Sequence, residues 1–136
     1  MKYKLMSLFV VFSFSSFAQG IPDYVESARW DIKSAIVANV IKNPDFTCKP
    51  EIDAKTSIWM LGCFIEDKKI SNILIFEVSP KENKTETVNY TLFAANGKAK
   101  QYAENKNLTM FNIETKGLGR VNVSDAFDMY VKKYSK

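Results

Sequence analysis

Histidine is missing from the entire 136-residue chain. The side chain that most readily exchanges protons near neutral pH is therefore unavailable, and neither a Ser-His-Asp triad nor a Cys-His pair can be assembled. Cysteine is scarce as well, at two residues, so the usual Cys/His zinc sites are excluded. Cys48 and Cys63 are also too far apart for the Cys-x-x-Cys pattern of thiol-redox catalysts. Beyond residue 17, no apolar run approaches the ~20 residues that span a bilayer. A strong charge imbalance is lacking too: nineteen Lys and Arg stand against fifteen Asp and Glu. That surplus does not build the clustered basic face of a nucleic-acid binder. Neither a metal nor an organic cofactor is expected.

What is present at the N-terminus is an export pattern. Lys2 and Lys4 form a positive start, residues 5–14 are largely apolar, and Ser16 and Ala18 occupy the −3 and −1 positions of a cleavage site after Ala18. Cleavage after Gly20 is the near alternative. A membrane anchor is disfavoured because residues 5–17 already contain four serines, and lipid attachment is excluded because no cysteine lies near the cut. The expected organisation is a cleaved signal over residues 1–18 and a single α+β domain over 19–136. Both early lysines leave with the signal, so the mature charge falls from +4 to +2. The expected destination is the periplasm or the cell exterior, and the short signal favours a bacterial periplasm. In such an oxidising compartment Cys48 and Cys63 are expected to form one disulfide, stabilising the domain by about 3 kcal/mol through the loop it closes.

Periodicity places a helix at the start of the mature chain. Asp23 and Glu26 have the spacing of a capping box, and Val25, Ala28, Ile32, Ala35 and Ile36 recur along one face. Trp30, Val37 and Ile41 form a second apolar line roughly opposite. Such a helix is either sandwiched or leaves one side for a partner, and Asn43-Pro44 is expected to end it.

Residues 46–55 suit a connector or short edge strand. Residues 57–66 are apolar on both faces, with Ile58, Met60 and Phe64 against Trp59, Leu61, Cys63 and Ile65, as in a central strand. A polar turn at 66–69 joins them to 70–79, where Ile70, Leu74, Phe76 and Val78 oppose Ile73 and Ile75, an antiparallel hairpin. A third strand is expected over 86–95, with Val88, Tyr90 and Leu92 on one side. After the Asn96-Gly97 turn come a weakly helical or looped stretch at 98–105 and a fourth strand at 108–115. Gly117-Leu118-Gly119 breaks the chain, and Ser124 is placed to cap a final helix with Phe127, Tyr130, Val131 and Tyr134 as its apolar stripe. The sum is an N-terminal and a C-terminal helix packed on an antiparallel sheet of about four strands. In general architecture alone, this order resembles cystatin-like folds.

Chemistry is harder to find. The carboxylate pairs Glu51/Asp53 and Asp125/Asp128 have the residue types of a glycosidase, but Asp125 and Asp128 also suit the positive end of a helix. Gly117-Leu118-Gly119-Arg120 lacks the remaining elements of a phosphate loop and is better read as a turn, with Arg120 its one candidate binding residue. Asn83, Asn89, Asn107 and Asn122 lie in Asn-x-Ser/Thr sites that stay bare in a bacterial periplasm. Lys68, Lys69, Lys81, Lys84, Lys98, Lys100 and Lys106 read as solubility charges.

Three functions remain. The first is a non-enzymatic binding protein that engages another protein of the envelope or exterior, as an inhibitor, an immunity-type protein or an accessory subunit. Its candidate interface is Trp30, Val37, Ile41 and Arg120. The second is a carrier with an apolar pocket between helix and sheet lined by Trp30, Trp59 and Tyr90. The third is a carboxylate hydrolase without histidine. Oligomeric state is left open.

Overall fold

The computed structural model describes residues 20–81, 88–105, 113–114 and 119–136. The export pattern, Asn83, Lys84, Lys106, Asn107, most of the expected 108–115 strand and the first two residues of Gly117-Leu118-Gly119 lie outside them. The chain runs α1 (Asp23–Asn39), β1 (Phe46–Ile52), β2 (Trp59–Ile65), β3 (Leu74–Pro80), β4 (Tyr90–Ala94), α2 (Gly97–Ala103), β5 (Ile113–Glu114) and α3 (Val123–Tyr134). Strand order in the sheet follows the chain. Neighbours from β1 to β4 are antiparallel, whereas β5 lies parallel to β4. Among the described residues the sheet thus has five strands and is mixed, where about four antiparallel strands were expected, because the chain returns to β4's edge in β4's own direction after α2.

The two-sided apolar pattern has its cause in the layering. Leu61, Cys63, Leu74, Phe76, Val78 and Leu92 form one buried core with Val25, Ala28, Ile32 and Ile36 of α1. The alternate residues Met60, Phe64, Ile73 and Ile75 form a second core with Ala126 and Tyr130 of α3. Side chains alternate across a strand, so a strand covered by a helix on each face is apolar at nearly every position. Every residue of β2 from Met60 to Phe64 is buried. Ile70, expected on one strand face with Leu74, instead precedes β3 in the connecting loop and joins the α3-side core, its amide donating to Ser135 Oγ at 3.2 Å.

The first and last helices begin one or two residues away from their expected caps. Pro22, extended at φ −58° and ψ 147°, flanks α1, and no side chain caps it. Asp23 is already helical, and Glu26 turns away to pair with Arg29 at 2.7 Å, so the capping box does not form. Both acids still complement the helix dipole from its first turn. The helix ends at Asn39, short of Asn43-Pro44. At α3 the cap is Asn122, whose side chain accepts from the Asp125 amide at 3.0 Å. Ser124 sits inside the first turn, so it cannot be the flanking residue. Asp125 faces the dipole from there, and Asp128 lies beyond it. The stretch after Asn96-Gly97 is a true helix. Asn96 accepts from Ala99 N at 3.0 Å and from Ile75 N at 3.1 Å while donating to Ile73 O at 2.7 Å, so one side chain both caps α2 and secures the start of β3.

At the open edge, β1 carries Pro50 and Cys48. The ladder bonds Asp53 N to Ile58 O (2.8 Å) and Glu66 N to Asp45 O (3.2 Å) set the alternation. Residues 45, 47, 49, 51 and 53 bond to β2, while 46, 48, 50 and 52 direct their backbone groups outward. Pro50 therefore sits where a missing N–H costs the ladder nothing. Cys48 faces Cys63 across a non-hydrogen-bonded pair, the closer of the two antiparallel pairings, with Cα atoms 4.0 Å apart, and the two are joined in a disulfide spanning 15 residues. Replacing both by alanine should lower the unfolding free energy by about 3 kcal/mol. Urea titration of the oxidised protein and the double variant checks this, and equal midpoints would show that the bond contributes no stability.

Candidate functional site

Helix α1 turns one face to the sheet and fills that interface: Val25, Ala28, Ile32 and Ile36 have no accessible surface. The opposite apolar line does not behave as one surface. Val37 and Ile41, toward the helix C-terminus, are half-buried at the margin of the α1-side core, in the cluster that also holds Tyr102 and Ala103 of α2. Trp30 alone stands out, 54% exposed, the largest exposure of any bulky apolar residue among those described. Its position follows from the helix period: one turn before it and one after are Glu26/Ser27 and Lys33/Ser34, all polar, so nothing apolar covers it. The Arg29 guanidinium lies 4.9 Å from the indole centroid and Lys33 Nζ 5.6 Å from it, within cation–π range.

Beside the indole runs an open groove of about 680 Å³. Asp23, Glu26, Ser27 and Asp31 of α1 form one wall, and Val88, Asn89 and Tyr90 at the start of β4 form the other. The walls are tied together by the Tyr90 hydroxyl, which donates to Asp31 Oδ2 at 2.6 Å. Burial, and then that hydrogen bond to a carboxylate, push the Tyr90 phenol above its ordinary value of 10.0. Tyr90 thus donates at any physiological pH. Val88 adds a second exposed apolar group, at 38%.

Of the aromatic trio expected to line an internal pocket, the structure brings Trp30 and Tyr90 to this groove, while Trp59 packs half-buried against the α1-side core on β2. Arg120 lies on the other side of the sheet. Its backbone N–H donates to Glu77 Oε2 at 2.9 Å, its Nε to Glu77 Oε1 at 3.3 Å, and its terminal nitrogen to Ser79 Oγ at 3.0 Å. The chain between β5 and α3 is thus clamped to β3 by a buried carboxylate, and Arg120 serves that clamp.

The paired carboxylates are engaged separately. Glu51 accepts from Lys133 Nζ at 2.8 Å and from the Tyr134 hydroxyl. Asp53 accepts from the Thr56 amide at 3.0 Å, and Asp125 lies 3.6 Å from Lys55 Nζ. Among the described residues no three potential ligands gather around a metal-sized space. Three structurally decisive residues escaped the sequence reading. Glu77 carried a signal as the lone acid in an apolar strand, and so did Gly62, a glycine inside a strand. Asn96 was legible as a turn residue but not as a three-way hydrogen-bonding group. No protein-family model matches the chain, and neither curated proteins nor solved structures yield a significant match.

Proposed function

We propose that this is an exported, non-enzymatic binding protein that docks on another protein of the envelope or exterior through the α1 surface centred on Trp30. One observation carries the reading: a tryptophan more than half exposed, flanked by two cations and beside an acid-lined groove. An apolar anchor within a polar rim is the usual anatomy of a binding hot spot. Support for an oxidising compartment comes from the disulfide. No described helix is long and apolar enough to cross a membrane, and the N-terminal export pattern directs the chain to the periplasm or outside the cell.

The test is site-specific photo-crosslinking in producing cells, with the photoreactive residue at position 30 and, as control, at Lys132 on α3, across the sheet. A single adduct of defined mass from position 30, absent from position 132, supports the proposal. Equal labelling at both positions, or none at 30, overturns it. The companion prediction separates interface from core. Trp30→Ala should shift the stability of the free protein by no more than about 0.5 kcal/mol, as surface substitutions do, while weakening the captured complex by about 2 kcal/mol or more. Calorimetric melting and a binding titration check the two halves.

A further inference from the structure

The opposite end of the sheet holds a second cavity, of about 350 Å³, within the size range of small-molecule sites. It is far from the groove: one borders residues 23–31 of α1, the other Ile41 beyond that helix's C-terminus. Its apolar lining includes Phe46 at the start of β1, Leu74 at the start of β3 and the ring of Tyr102 on α2. Phe46 and Leu74 are core residues, at 1% and 2% exposure, so they fix the floor from behind, and the accessible apolar surface comes from Ile41, Ile65 and Tyr102. The rim is polar and comes from two segments: Asp67, Lys69 and Ser71 in the β2–β3 connection, and Lys98 on α2.

Both lysines of the rim are exposed, and neither has an ion-pair partner among the described residues. Asp67 accepts from its neighbour's amide at 2.7 Å and is the single acid on the rim, so the rim carries a net positive charge over an apolar floor.

We infer that this cavity binds a small organic anion with an apolar body, a carboxylate on a short alkyl chain or aromatic ring, its tail on Ile41, Ile65 and Tyr102 and its charge between Lys69 and Lys98. The site is independent of the Trp30 surface. Octanoate is the probe, with octylamine and 1-octanol as charge controls, titrated into isotopically labelled protein and followed by amide chemical shifts. Saturable shifts confined to residues 41, 46, 65–74 and 98–102 are expected with octanoate, with weaker binding of octanol and none of octylamine. Lys69→Gln/Lys98→Gln, at exposed positions that leave the core intact, should weaken octanoate about tenfold, and Trp30→Ala should leave it unchanged. Absence of saturable shifts, equal affinity for octylamine, an unaffected double variant, or shifts centred on Trp30 would each overturn the assignment.

Discussion

Tyr130→Ala should lower the unfolding free energy by about 4 kcal/mol, within the range for removing a large buried aromatic side chain. Tyr130 is fully buried at the centre of the α3-side core, with Phe64 and Tyr134 against it at ring separations of 6.5 and 5.8 Å. Its hydroxyl donates to Lys49 O on the edge strand at 2.9 Å. Burial first, and then the nearby Glu51 charge, hold that phenol above its ordinary value, so the hydroxyl stays a donor at physiological pH. The ring lies directly on Gly62 of β2, where an added Cβ would fall 2.5 Å from Cε1 and 2.6 Å from Cζ. Gly62→Ala should therefore destabilise by about 3 kcal/mol through overpacking, because the ring is held at both ends and cannot step aside. The two substitutions share one contact, so they should not add: in the Tyr130→Ala background the new methyl enters space the ring has vacated, and most of its cost disappears. Tyr130→Phe, which loses the hydroxyl bond alone, should cost about 1 kcal/mol. Chemical denaturation of the four proteins of the cycle and of Tyr130→Phe measures all of this. Strict additivity would refute the close approach of α3 to Gly62.

Glu77→Ala should cost about 3 kcal/mol, with a distinct asymmetry toward its partner. Glu77 is 1% exposed and accepts from two backbone amides, Arg120 N at 2.9 Å and Val121 N at 3.4 Å, as well as from the Arg120 guanidinium. Deleting it orphans donors at the mouth of α3, and unsatisfied buried donors cost about 1–3 kcal/mol each. Arg120 has a side chain 51% exposed, so its ion pair is screened and weak. Arg120→Ala should cost only about 1 kcal/mol, because the two backbone amides still hold the carboxylate. Glu77→Gln keeps an acceptor and the shape but loses the charge, and should fall between them. Denaturant melts of the three variants give the order. If Arg120→Ala proved as damaging as Glu77→Ala, the guanidinium rather than the backbone amides would be the principal partner.

Both effects are sizeable shares of a domain stability of roughly 5–15 kcal/mol, and neither follows from local pattern. What the sequence by itself determined is whatever depends on period and chain-local chemistry. Alternation separated Met60 and Phe64 from Leu61 and Cys63 along 57–66, and Ile73 and Ile75 from Leu74, Phe76 and Val78 along 70–79, because a strand's period of two is intrinsic to its backbone. The buried stripe of α1 was legible for the same reason at a period of 3.6. The disulfide was legible because the chain has only two cysteines. Of the candidate site, the exposure of Trp30 was half legible: periodicity put Trp30, Val37 and Ile41 on one line, yet only their neighbours in space decide which of them is covered.

Tertiary structure alone decided the rest, and the physical reason is common to each case. The Asn122 and Asn96 caps depend on where the chain turns into a helix, and that turn is set by packing. Glu77 is an acceptor because residues 43 positions later fold over β3. Gly62 must lack a side chain because a ring 68 residues away occupies the space, and β5 is parallel because of the path the chain takes through α2. Likewise Lys69 and Lys98 become a pair of cations over one cavity only when the β2–β3 connection and α2 meet at the same end of the sheet. Periodicity reports which face a residue turns away from water. It carries no information about what distant segment arrives at that face, and the clamp, the close contact and both candidate binding surfaces are made by such arrivals.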